Sequence, residues 1–172
     1  MKKLFIILAT TLLVACAGTS FRRNSIPGLT LNDKTVVVLV QEYSHNPLYT
    51  TKMDSIWNAN IKSSHLQAEF VFNEALALAP VDPAKTWGRC ADSFLMTIEV
   101  TGKSSTQRYD GMGMPAGGSS TVEYTAIMYD CNTKKVVWKM ILNTNGYEPS
   151  SKHELVNAIF KDFKQNNILQ EE

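Results

Sequence analysis

Cys16 is the residue whose surroundings most narrow its chemistry. Leu13-Val14-Ala15-Cys16 sets apolar and small residues directly ahead of a thiol. This is the pattern of a bacterial lipobox, in which the sulphur is acylated and Cys16 becomes the first residue of the mature chain. The sequence before it fits that chemistry. Lys2 and Lys3 form a positive start, and the apolar run from Leu4 to Val14 follows. That run is too short for a membrane-spanning helix and has the layout of an export signal. The expected division is a signal peptide over residues 1–15, a lipidated flexible tether over 16–33 and a globular domain over 34–172.

The other two cysteines, Cys90 and Cys131, form an even pair in a chain destined for an oxidising compartment. A structural disulfide is the expected use. No CxxC spacing and no neighbouring histidine argues for zinc or redox chemistry, and no metal site or cofactor is expected. His45, His65 and His153 are scattered and lack ligand spacing. Ser119 and Ser120 follow glycines without the GxSxG elbow of a hydrolase nucleophile. Glu99 and Asp110 have no opposing carboxylate placed by the sequence for acid–base work. Gly111-Met112-Gly113 lacks the spacing and the following helix of a phosphate loop. The chain is therefore expected not to be an enzyme.

Charge excludes one further class. Lys2 and Lys3 leave with the signal, so of 17 basic residues 15 remain against 16 acidic ones, a net charge of −1. That balance gives no case for nucleic-acid binding.

The elements that must position these residues read as one α+β domain. Residues 35–41, Thr-Val-Val-Val-Leu-Val-Gln, form a continuous β-branched run expected as a buried strand. Thr51 with Asp54 resembles a capping box, and Met53, Ile56, Trp57 and Ile61 follow at helical spacing. Residues 68–72 read as a second strand, bounded by the Pro80 and Pro83 loop. Apolar residues alternate over 94–100, again over 122–128, and again over 136–142 after a turn at 130–133. These three strands form an antiparallel meander. Ser151 and Glu154 cap a final helix with Leu155, Val156, Ile159, Phe160 and Phe163 on its apolar face. The expected architecture is a mostly antiparallel sheet of about five strands with two helices on one face. In the meander, Cys90 and Cys131 lie just beyond adjacent strand ends, within the ~6 Å separation a disulfide requires. Closing that loop contributes roughly 3–4 kcal/mol on the chain-entropy view.

Residues 104–121 join two strands that a short turn would join. Their glycines, Met112 and Met114 read as a flexible loop: a mobile hairpin tip, or a finger that touches a partner or a membrane. Tyr109, Met112 and Met114 are the candidate contact residues there. Trp87, beside Gly88, Arg89 and Cys90, is a further candidate, with packing over the disulfide as its other use. Arg22 and Arg23 lie in the tether and read as part of a solvated linker; their other use, contact with anionic headgroups, contributes only about 1 kcal/mol for each cation.

The strand–helix–strand–meander–helix order behind a lipobox resembles a group of small envelope lipoproteins. The group comprises relatives of the amino-terminal domain of TolB, the curli-secretion lipoprotein and the lipoprotein activators of peptidoglycan synthases. The residues that carry the resemblance are Ala91-Asp92-Ser93-Phe94-Leu95 leading a strand, and Tyr129-Asp130 with Thr133-Lys134-Lys135-Val136-Val137-Trp138, similar to that group's D-x-x-T-G-K-x-V-W hairpin. Lys134 stands where the group has glycine, and Cys131 lies inside the turn. The resemblance transfers no catalytic residue. With Ala17 after the cysteine, enterobacterial-type sorting implies the outer membrane. The expected function is that of a lipid-anchored, periplasmic-side accessory component binding another envelope protein. The alternative is a small carrier of a ligand or lipid.

Overall fold

The computed structural model describes residues 20–41, 47–61, 66–73, 87, 90, 92–145 and 150–170. The expected signal segment, Cys16, His45, His65 and the Pro80–Pro83 stretch lie outside these residues. The elements are β1 (Ser20–Ser25), β2 (Thr35–Gln41), α1 (Pro47–Ile61), β3 (Gln67–Asn73), β4 (Phe94–Tyr109), β5 (Pro115–Asp130), β6 (Val136–Asn145) and α2 (Ser150–Gln165). They build a six-stranded mixed sheet in the order β1-β6-β5-β4-β2-β3.

The expected meander is present as β4, β5 and β6, all antiparallel. The sheet departs from the expected five-stranded, mostly antiparallel form in two ways. β2 pairs parallel with β3 on one side and with β4 on the other. Its unbroken apolar run is the signature of a strand covered on both faces, and Val36, Val37, Val38, Leu39 and Val40 are all buried. The second departure is β1, which adds an antiparallel edge on β6 with Ser20 opposite Asn143 and Ser25 opposite Trp138. Residues 20–33 therefore do not behave as a tether. Leu29 and Leu31 enter the core, and the Leu31 N–H donates to the Ile168 carbonyl at 2.7 Å.

Both helices pack on one sheet face, where Trp57, Trp138, Phe160 and Phe163 fill the interior edge to face. The Trp57 and Phe160 rings lie 4.9 Å apart, and those of Trp138 and Phe163 5.2 Å apart. Both helices begin before the positions proposed as their caps. α1 starts at Pro47, whose missing N–H falls where a helix has no acceptor for it. In α2, Ser151 is wholly buried, and its hydroxyl shares a 2.8 Å hydrogen bond with that of Tyr124. It ties helix to sheet.

An ion pair with a buried carboxylate joins β1 to α2 at the margin of this core. Asp162 is 1% exposed. Its Oδ2 accepts from Trp138 Nε1 at 2.9 Å, and its Oδ1 lies 2.9 Å from Arg23 Nε. Asn166 Nδ2 donates to the same Oδ1 at 3.0 Å, and Arg23 also donates to the Asn166 side-chain oxygen. Arg23 is thus a structural cation rather than one held out toward headgroups. A lone buried carboxylate is costly, and this one has a partner for each oxygen.

Candidate contact surface

Strands β4 and β5 outrun the sheet. Up to Val100 and down to Val122 their residues are buried or half-buried, and beyond those points nearly every residue of both strands is exposed. Residues 105–109 and 115–120 therefore form a free-standing two-stranded ribbon where the sequence reads as a loop. The pairing is continuous from Gly102–Glu123 to Tyr109–Pro115, with bulges after Val100 and at Arg108/Tyr109. Backbone pairing holds the ribbon, assisted by a 2.7 Å bond between the Thr106 and Ser119 hydroxyls and one of 2.9 Å from Thr101 to Glu123 Oε1. Gly118 permits the pairing, because a Cβ there would stand 2.7 Å from the Thr106 carbonyl oxygen.

The tip is organised by one carboxylate. Asp110 Oδ1 accepts the N–H groups of Met112 and Met114 at 2.9 and 2.8 Å. The Asp110 N–H donates to the Met114 carbonyl, and Gly113, at φ 77°, completes the turn. The apolar side chains are left outside. Tyr109 is 62% exposed, Met114 64% and Met112 91%. Three of the four candidate contact residues thus share one tip.

The fourth does not. Trp87 lies by the opposite end of β5, where its ring meets Tyr129 edge-on at 5.5 Å. It packs with Val37, Leu39 and Leu95 around Cys90 and Cys131 on the sheet face away from the helices. Those two cysteines are joined, with Cα atoms 5.9 Å apart. Beside them, the Asp130 carboxylate accepts the Thr133 N–H at 2.7 Å, and this backbone hydrogen bond holds its pKa below the usual value against a smaller opposing effect of burial. Lys134 takes a left-handed conformation, φ 57°, at the position where the resembling group has glycine.

His153 is exposed on the first turn of α2 and contacts Asn157, and Ser119 is engaged by Thr106. Among the described residues no three His, Cys, Asp or Glu side chains converge. An open groove of about 340 Å³ runs between residues 25–30 and 166–170, bordered by Arg23, Thr30, Asn166 and Gln170. Its cation is already committed to Asp162. Sequence reasoning missed the Arg23–Asp162–Trp138 cluster. Its one signal is an acid three residues after Ile159, at the margin of an apolar helix stripe.

The fold defines a class, a single α+β domain on a mixed open sheet, and solved structures share it. The PelC dodecamer from Paraburkholderia phytofirmans superposes with a TM-score of 0.52 at 21% identity, covering 90% of this chain and all of that one. A point variant of that dodecamer gives 0.50 at 22% identity, covering 85% and 96%. The lipoprotein GNA1162 from Neisseria meningitidis gives 0.45 at 15%, covering 76% and 97%. No protein-family model and no curated protein sequence matches the chain. No helix of the described residues is long and apolar enough to cross a membrane.

Proposed function

We propose that this chain is an exported outer-membrane lipoprotein, acylated on Cys16, whose domain serves as a non-enzymatic accessory component of an envelope assembly. The observation that carries the reading is the export signal ending in Leu13-Val14-Ala15-Cys16, only four residues ahead of an ordered strand. A short link of that kind holds a domain against a membrane. The fold shared with PelC, a dodecamer in its solved structure, supports a role in assembly over one in catalysis. The carrier alternative is disfavoured by the aromatic rings that fill the space between helices and sheet.

Two measurements test this. Metabolic labelling with palmitate marks the wild-type chain and leaves Cys16→Ser unlabelled. Native mass spectrometry of the acylated chain in detergent then reports a defined complex, of copies or of a second protein. An unlabelled wild-type chain removes the lipoprotein reading, and a strictly monomeric chain with no envelope partner removes the assembly role.

A further inference from the structure

The ribbon and the amino-terminal strand leave the same end of the sheet. Ser20 pairs with Asn143, which in turn pairs with Glu123, and Glu123 faces Gly102, three residues before the ribbon begins. The Ser20 end of β1 therefore lies at the end of the sheet from which the ribbon leaves. From Glu123 to Pro115 a strand advances roughly 27 Å at its ordinary rise. From Ser20 back to Cys16 four residues span at most about 14 Å even when fully extended. The tip therefore outreaches the anchor.

We infer that the Tyr109–Met112–Met114 tip enters the headgroup layer of the membrane that holds Cys16, so that the domain is moored at two points. The inference rests on the lipoprotein reading above. An upright domain whose anchor reaches no further than about 14 Å brings a tip some 13 Å longer into the bilayer interface. A domain tilted over its anchor lays the same ribbon along the surface.

The chemistry of the tip suits that layer. Asp110 spends its Oδ1 on two backbone N–H groups of the turn, so the turn needs little hydration there. Tyr109 carries a ring with a polar end, the side-chain type that settles at membrane–water boundaries. Met112 and Met114 are flexible and apolar. Arg108, one residue before the ring, is exposed and placed for lipid phosphates. The Ser and Thr residues behind it on both strands keep the shaft in water.

The test uses the full chain, expressed and processed in bacterial cells and carrying Met112→Cys. With Cys16 acylated and Cys90 bonded to Cys131, the introduced thiol is the free one for a nitrobenzoxadiazole label. The protein is placed in phosphatidylethanolamine–phosphatidylglycerol vesicles containing lipid brominated near the top of its acyl chains. The expected result is a blue-shifted emission and a loss of at least roughly twofold in intensity to the brominated lipid, as for a group 5–10 Å below the surface. The same label at Lys135→Cys, on the exposed turn at the other end of the sheet, keeps the emission of water. Water-like, unquenched emission at position 112 in an acylated chain overturns the inference and leaves the anchor standing. An N-terminal peptide without acyl mass overturns the lipoprotein reading and this inference with it. A photoreactive group at position 112 that yields protein adducts and no lipid adducts in intact cells overturns it in favour of a protein partner.

Discussion

Strands β4 and β5 run through two environments with the same backbone geometry. In the body of the sheet the two strands bury side chains, Met96, Ile98, Tyr124, Ala126 and Met128 in the main core and Leu95 on the opposite face. In the ribbon no face is covered, and apart from Arg108 and Ala116 the residues are Ser, Thr, Gly and Gln with an apolar tip. Hydrophobic burial fixes register in the first region, since a one-residue slip would turn the core outward. In the second, register is inherited from the body and kept by Gly118, two bulges and the Asp110 turn. A two-stranded ribbon alone in water is marginal. Its persistence here depends on the sheet that it extends.

That contrast sets the order of expected effects. Trp138→Ala should cost about 3–5 kcal/mol, the range for a deleted buried aromatic, and should also leave Asp162 short of a donor. Denaturant midpoints report it. Met112→Ala, at 91% exposure, should stay within about 0.5 kcal/mol; a comparable loss at both sites would erase the distinction between body and ribbon. Cys90→Ser with Cys131→Ser should remove roughly 3–4 kcal/mol of stability, read as a lower melting temperature equal to that of the reduced wild type. Gly118→Val should cost about 1–3 kcal/mol of local stability, the scale of overpacking. Hydrogen exchange should then quicken over residues 103–109 while β2 stays protected.

The smallest effects lie in the turn by the disulfide. Lys134→Gly relieves a left-handed conformation and should gain up to about 1 kcal/mol. Asp130 has a lowered pKa because its charged form accepts the Thr133 N–H. Its contribution is therefore present above the unfolded carboxylate value and lost as pH falls through the lower folded one. The group being partly solvated, it should amount to less than about 1 kcal/mol. Asp130→Asn should flatten that part of the acid unfolding curve.

Much of the body was legible in the sequence because burial writes a period. The continuous run of β2, the alternation of β4–β6 and the stripe on α2 all follow from which face meets the core. The parallel pairing of β2 was legible only in part. An apolar run shows that both faces are covered, but not which way the neighbours run. β1 was missed because Ser-Phe-Arg-Arg-Asn-Ser has almost no apolar pattern; it is held by backbone pairing and by Arg23 reaching a carboxylate 139 positions away. The ribbon was read as a loop for the same reason, since strands with no buried face carry no alternation to detect. Of the candidate contact residues, Tyr109, Met112 and Met114 were picked by type and by their place in an overlong connection, and they share one exposed tip. Trp87 was separated from them only by the topology.

The pairing of β1 with β6 also sets an order of events. A chain that leaves the ribosome amino terminus first presents Ser20–Ser25 long before Val136–Asn145 and Asp162 emerge. Pairing between such distant segments is slow to close. The first strand to appear is thus among the last to dock, and until it does the β6 edge stands open to strands of other chains. A chaperone that shields this edge during transit would act at the step where the molecule is most exposed to misassembly.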